Sequence, residues 1–262
     1  MGLLEGKRAL IVGVGNQRSI AWGIAAAFQR EGARLAFTYL NDRFRDNVTK
    51  LVETLPDHGS IPVLPCDAAK AEDVTSLMAE IDKRWDGLDV LVHSIAYAPV
   101  DDLRGRFHEI SRDGVLTAVD ISAYTLVSLS RAALPLFVKA GGGAVMALTF
   151  NAVERVVPSY NSMALAKAAL ETCVRYLAVD LGPSNVRVNA ISAGPLRTLS
   201  ASAVKGISQA RDLMETRAPL RRNITQEEVG NVAVFLASDW SRAVTGATIF
   251  ADNGMNIVGV AE

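Results

Sequence analysis

Cysteine is nearly absent: Cys66 and Cys173 are the only two in 262 residues, too few for a disulfide framework and typical of a reducing compartment. Histidine is almost as scarce. His58, His93 and His108 share no ligand spacing with the cysteines, so no structural metal centre is expected. An excess of charge of one sign is also lacking, with 27 basic residues against 28 acidic and a formal net charge of −1. That balance gives no general electrostatic pull toward nucleic acid or an anionic membrane. No 18-residue apolar span is evident, and the opening MGLLEGKRALIVG runs into a strand-like pattern without a signal-peptide core or cleavage site. The expectation is a soluble cytoplasmic protein. Repeats, low-complexity tracts and charge blocks are missing too, and Gly141-Gly142-Gly143 separates a helix from a strand without marking a domain boundary.

What the chain has in quantity is apolar sequence, 50% of its residues, which suits one large domain over 1–262 with a substantial core. Short β-branched or apolar runs alternate with longer stretches of helical periodicity. The predicted strands are Arg8–Gly13, Arg34–Tyr39, Ile61–Cys66, Val90–Ser94, Ala144–Thr149, Arg187–Ile191 and Thr248–Ala251. They are apolar on both faces. Helical runs over Ile20–Glu31, Ala71–Arg84, Gly114–Ala140, Tyr160–Leu181 and Gln226–Ala237 supply the crossovers of a parallel sheet covered on both sides. The pattern predicts a doubly wound, Rossmann-like α/β fold of about seven strands, whose ligands bind beyond the carboxyl ends of the strands.

The motifs fall just after strands. Gly13-Val14-Gly15-Asn16-Gln17-Arg18-Ser19-Ile20 starts like a dinucleotide loop, but Arg18 stands where G-x-G-x-x-G places its third glycine. Two glycines and a helix beginning near Ser19 can cradle a pyrophosphate; they also fit an ordinary strand-to-helix turn. Asp67 after the third strand is placed to meet an adenine edge. His93-Ser94-Ile95-Ala96-Tyr97-Ala98-Pro99 after the fourth offers small and apolar residues to a flat ring, or simply strand-end packing. Tyr160 and Lys167, seven apart, project from one side of a helix after two turns, so both can enter one cleft. There a lysine either favours the tyrosine's phenolate or strengthens the phenol as a donor, and its ammonium can hold ribose hydroxyls.

Taken together, GKRALIVGVGNQRSIAWGIA, VLVHSIAYAP, SYNSMALAKAALE, NAISAGPLRTLSAS and ADNGMNI resemble the short-chain dehydrogenase/reductase superfamily. Within it they resemble the bacterial enoyl-acyl-carrier-protein reductases of type II fatty-acid synthesis, over nearly the whole chain. The Tyr-x6-Lys spacing is that family's; the commoner Tyr-x3-Lys is absent, since Ala164 occupies the fourth position after Tyr160. The family's first loop has the form G-x5-S-I-A, which accounts for Ser19 and Ile20 where a glycine is expected.

The resemblance implies reduction of the trans-2 double bond of an enoyl thioester by hydride from NADH, with NADPH as the alternative cofactor. It places Gly13, Ser19 and Ile20 at the cofactor phosphates, Asp67 and Ala68 at the adenine, and Ile95 and Ala96 at the adenosine and ribose. Lys167 would hold the nicotinamide ribose, and Leu196 and Thr198 would lie against nicotinamide and pyrophosphate. Ala98, Phe150, Val204 and Ile207 would border the acyl chain, and Tyr160 would donate to the thioester carbonyl. A lid over about 196–217 is implied, with Lys205 and Arg211 facing an acidic acyl-carrier protein, and relatives assemble as homotetramers through the helix of Tyr160 and the one before it. Two departures stand out. Phe150 occupies the place of a second tyrosine in many members, and Leu40, which can bond neither a ribose hydroxyl nor a phosphate, follows the second strand where NADH users often have glutamine. Arg43 lies near enough to meet a 2′-phosphate, or is a solvated helix charge. The competing readings are a carbonyl reductase of the same fold, disfavoured by the Tyr-x6-Lys spacing, and a nucleotide sensor that has lost catalysis, for which only Phe150 speaks.

Overall fold

The computed structural model describes residues 2–198 and 207–259. All seven expected strands are present, with ends shifted by two residues at most: β1 (Arg8–Val12), β2 (Arg34–Tyr39), β3 (Val63–Pro65), β4 (Val90–His93), β5 (Gly143–Thr149), β6 (Val186–Ala193) and β7 (Thr248–Ala251). They form one parallel sheet in the order β3-β2-β1-β4-β5-β6-β7. Side chains alternate across a strand, so β1 divides its four buried residues between two cores. Ala9 and Ile11 join Trp22, Phe28, Val229 and Val234 on one face. Leu10 and Val12 join Leu77, Leu126, Phe137 and Leu170 on the other. Each fully buried large side chain contributes about 2–3 kcal/mol, which is why strands this apolar must be covered twice.

The covering helices are α1 (Ile20–Arg30), α2 (Asp42–Val52), α3 (Ala71–Trp85), α4 (Arg112–Val119), α5 (Thr125–Lys139), α6 (Asn161–Leu181), α7 (Ile207–Arg217) and α8 (Gln226–Ala237). The helix predicted as one run over 114–140 is interrupted by a π turn at Asp120–Tyr124 between α4 and α5. Contrary to the sequence expectation, Arg112–Lys139 is long and apolar enough to span a membrane, but more than half of its apolar window is buried in the protein. A core helix meets the same length criterion, and here α5 lies against α3 and α6.

α6 has apolar residues on more than one side for two reasons. Met163, Leu170, Val174, Leu177 and Leu181 are buried within the chain, while Leu165, Tyr176 and Val179 face outward. The amino ends of the strands are locked by charge: Arg8 Nε meets Asp89 Oδ2 at 2.7 Å and its Nη1 donates to the Trp85 carbonyl at 2.9 Å. The carboxyl ends are left for the loops that carry the motifs.

Candidate active site

β1 lies between β2 and β4, so the chain's order reverses there and a crevice opens beyond their carboxyl ends. Gly13 makes that crevice tight. Its φ is 103°, and a Cβ at this position would collide with the Ser94 carbonyl just beyond β4. Only glycine permits this approach, which sets the loop after β1 against Ser94 and the Ile95 amide. Gly15 is less constrained, since a Cβ there would make ordinary contacts with Ser19 Oγ at 3.6 Å and Phe44 at 3.7 Å.

Ser19 closes the loop. Its Oγ accepts from Gly15 N and Asn16 N, both at 3.0 Å. With both lone pairs taken, the proton is what the hydroxyl has left to offer. The same residue caps α1 with extended backbone but no side-chain cap, and the first turn of α1 holds no acidic residue. Those uncapped N–H groups and the positive end of the helix dipole fit a phosphate. A residue from far along the chain braces this arrangement: Gln226 Nε2 donates to the Ser19 carbonyl at 2.6 Å and the Gln17 carbonyl at 3.3 Å. Its place is fixed by a capping box, in which Thr225 and Glu228 bond each other's backbone at the start of α8.

Asp67 and Ala68 follow β3 on the same edge. The Asp67 amide donates to Asp73 Oδ2 at 2.9 Å, and its carboxylate meets Lys70 Nζ at 3.6 Å. Leu196 and Thr198 follow β6, with Leu196 packed on the core and the Thr198 amide turned back onto the Leu196 carbonyl at 2.9 Å. Apart from Lys167, which projects from a helix, the predicted cofactor residues therefore follow the carboxyl ends of the strands.

Tyr160 and Lys167 enter from α6. The helix begins one residue later than predicted, and Tyr160 is its N-cap with φ −119° and ψ 12°. Ser159 before it is held at φ 62°, a left-handed conformation that a side chain disfavours and that fixes how the chain turns into the helix. Phe150 at the end of β5 lies 5.1 Å from Tyr160, ring centroid to centroid, tilted by 57°. Burial raises the Tyr160 phenol above its ordinary range. Among the described groups no stabilising charge offsets that burial, which favours the protonated donor of the two sequence alternatives. Lys167 is 5% exposed and its Nζ donates to the Leu148 carbonyl at 2.7 Å. Burial brings its ammonium down to about 8, against an opposing field from Glu171.

The chain matches the family described as Enoyl-(Acyl carrier protein) reductase over residues 13–256. It belongs to that family. It is 47% identical to the NADH enoyl-[acyl-carrier-protein] reductase of Aquifex aeolicus, over 99% of this chain and 95% of that protein. The solved enoyl-acyl carrier protein reductase of Bacillus cereus, with NADP+ and an indole naphthyridinone, superposes with a TM-score of 0.96 at 48% identity, covering 99% of this chain and 100% of that one. The corresponding Anaplasma phagocytophilum reductase, solved with NAD, gives 0.94 at 41%, covering 100% and 98%.

In this member of the family the surroundings of Tyr160 are apolar. Ala98, Leu103, Ala118, Met163 and Ala166 form a small core of their own, with Tyr160 packed against it. Ala98 belongs to the cluster against which Tyr160 packs, and the Phe150 ring meets that of Tyr160 at a tilt. Of the predicted lid, Val204 and Lys205 lie outside the described residues, as does the side chain of Ile207. Arg211 on α7 is half-buried with its Nε enclosed, at odds with a cation projecting wholly toward a partner.

Sequence reasoning passed over His93, which is fully buried at the end of β4. The Thr125 hydroxyl donates to the Ile121 carbonyl at 2.7 Å, so His93 Nε2 is the donor in its 2.8 Å bond to Thr125 Oγ1. Nδ1 has no hydrogen-bond partner among the described residues. Burial, and then the Lys167 charge, bring its pKa down to about 3, so the ring is neutral. The π turn leads directly into Thr125 and supplies Ser122, whose Oγ accepts from Tyr97 N at 3.0 Å and donates to Tyr97 O at 3.1 Å. Such turns recur at functional sites because the widened backbone redirects side chains.

Proposed function

We propose that this chain reduces the carbon–carbon double bond of trans-2-enoyl thioesters carried by acyl-carrier protein, using NADH, in bacterial fatty-acid elongation. The observation that carries this reading is a half-buried Tyr160 donor and a buried, still largely charged Lys167 on one helix beside the close approach of the Gly13 loop to the end of β4. The residues fit the cofactor: the Gly13 cradle, the uncapped start of α1 and the spare Ser19 proton suit a pyrophosphate, and Lys167 suits ribose hydroxyls. When bound, NADH supplies the hydride.

The chain's own residues do the rest. Tyr160 donates a hydrogen bond to the thioester carbonyl, and that bond strengthens as enolate charge develops on the oxygen. Lys167 adds a positive field. Phe150 has no proton to give, and its ring holds that of Tyr160 in place while the apolar cluster around Ala98 keeps water from the acyl chain. Leu40 is 54% exposed and presents no donor, which favours NADH over the 2′-phosphorylated cofactor.

In this reading residues 196–217 act as the lid over the acyl chain, and the half-buried Arg211 is at most a partial contact for the acidic carrier protein. The enzyme works in the cytoplasm as a homotetramer. The outward Leu165, Tyr176 and Val179 of α6 support the assembly, and sedimentation equilibrium reads it. Following nicotinamide absorbance with a crotonyl thioester and with simple ketones tests the activity: oxidation only with the thioester is expected, and oxidation only with ketones rejects the reading. Tyr160→Phe should lower kcat about 10²- to 10³-fold with NADH binding preserved.

A further inference from the structure

Lys167 is enclosed by three elements. From β5, the Leu148 carbonyl accepts from its Nζ at 2.7 Å. From β4, neutral His93 adds no charge. From its own helix, Glu171 lies one turn further on and Tyr160 lies at the N-cap. Glu171 is 9% exposed, and its Oε1 accepts from the Thr149 hydroxyl at 2.7 Å. On its other side Glu171 feels Arg175 and Glu154, whose opposite charges pull its ionisation in opposite directions. Two consecutive residues of β5 therefore grip two side chains of α6 one helical turn apart, one cationic and one anionic.

A buried ammonium tends to lose its proton, and a nearby carboxylate opposes that loss. Among the described groups Glu171 is the one whose field favours the charged lysine. A carboxylate in so enclosed a place is itself costly, and the Thr149 hydroxyl offsets part of that cost by donating to it. The mechanism makes no direct use of Glu171.

We propose that Glu171 is a positioning residue of the reductase: held by Thr149 one helical turn from Lys167, it keeps charged the ammonium that the Leu148 carbonyl holds at the end of β5, where the cofactor ribose is bound. This rests on the assignment of Lys167 to that ribose. The carboxylate touches neither substrate nor cofactor, so its removal changes the pH range of NADH binding while the site itself stays in place.

The test is the dissociation constant of NADH, followed by nucleotide fluorescence across neutral and alkaline pH. The wild type should lose affinity as pH rises through about 8, where Lys167 gives up its proton. Glu171→Gln should show the same loss at lower pH, binding roughly five- to tenfold more weakly near pH 8 but within about twofold near pH 6, one pH unit being a factor of ten. Glu171→Asp should restore most of the difference. If Glu171→Gln does not fold, Thr149→Val carries the test and should move the midpoint in the same direction. A folded Glu171→Gln, or failing that a folded Thr149→Val, with the wild-type profile overturns the inference. Lys167→Met separates the two readings. It should bind NADH weakly at every pH, and if it keeps the wild-type profile the assignment of Lys167 itself falls.

Discussion

The two ends of the same sheet treat buried charge in opposite ways. At the amino ends Arg8 is matched in full: two guanidinium nitrogens and its own amide reach Asp89, and Nη1 reaches the carbonyls of Trp85 and Asp86. Arg187 at the start of β6 is likewise satisfied by the carbonyls of Leu236, Ser238 and Val244. At the carboxyl ends, among the described residues, Lys167 has one carbonyl, His93 keeps a nitrogen without a partner, and the first turn of α1 has no side-chain cap. Groups left short of partners can bind ligands and titrate, whereas groups fully bonded can only hold.

The largest effect should come from breaking the closed end. Asp89→Ala leaves the Arg8 guanidinium, whose side chain is 17% exposed, without its carboxylate and should lower unfolding free energy by about 3 kcal/mol. Urea titration reads the loss, and the Michaelis constant for NADH should not move.

At the open end the sign should reverse. A folded-state value near 8 for Lys167 lies below the ordinary lysine value of 10.5, so the native state binds this proton less tightly than the unfolded chain does. Stability therefore rises with pH between those two values, and at neutral pH the buried ammonium weakens the fold by about 3 kcal/mol. Lys167→Met removes that penalty but loses the bond to Leu148, so it should stabilise by about 1–2 kcal/mol while abolishing tight NADH binding. Thermal melting with and without NADH checks both halves.

His93 gives a third contrast. Its pKa is about 3 in the fold, below the ordinary 6.5, so the unfolded chain takes up a proton first as pH falls. Stability is intact above 6.5 and declines below it, by about 2 kcal/mol at pH 5. His93→Gln should flatten that acid slope in urea titrations at several pH values. The smallest effect belongs to Gln226→Leu, which frees the carbonyls of Ser19 and Gln17. It should raise the Michaelis constant for NADH by a few-fold, about 1 kcal/mol, with little change in kcat.

Most of the fold was legible because the strands are apolar on both faces and the helices between them are periodic. α2 was not among the predicted helices, since DRFRDNVTKLV buries only Val48 and Val52 and leaves a faint stripe. The π turn was invisible because the apolar pattern continues across it. The cofactor loops and the Tyr160–Lys167 spacing could be read since each is local. His93, Glu171 and Gln226 could not, for their partners lie 32, 22 and 207 residues away, and no local pattern marks a polar side chain whose role is set by so distant a neighbour. Ser159 escaped for another reason: nothing in its identity announces a left-handed backbone.

The π turn between α4 and α5 works as a phase adjuster. Successive helical residues are about 100° apart around the axis, so one residue fewer at Asp120–Tyr124 would swing the whole of α5 by that angle relative to α4. Leu126, Leu129 and Phe137 would rotate out of their core, and Thr125 would turn away from the imidazole. Length at this point is therefore more restricted than residue type, and a single-residue deletion there should be tolerated worse than most substitutions.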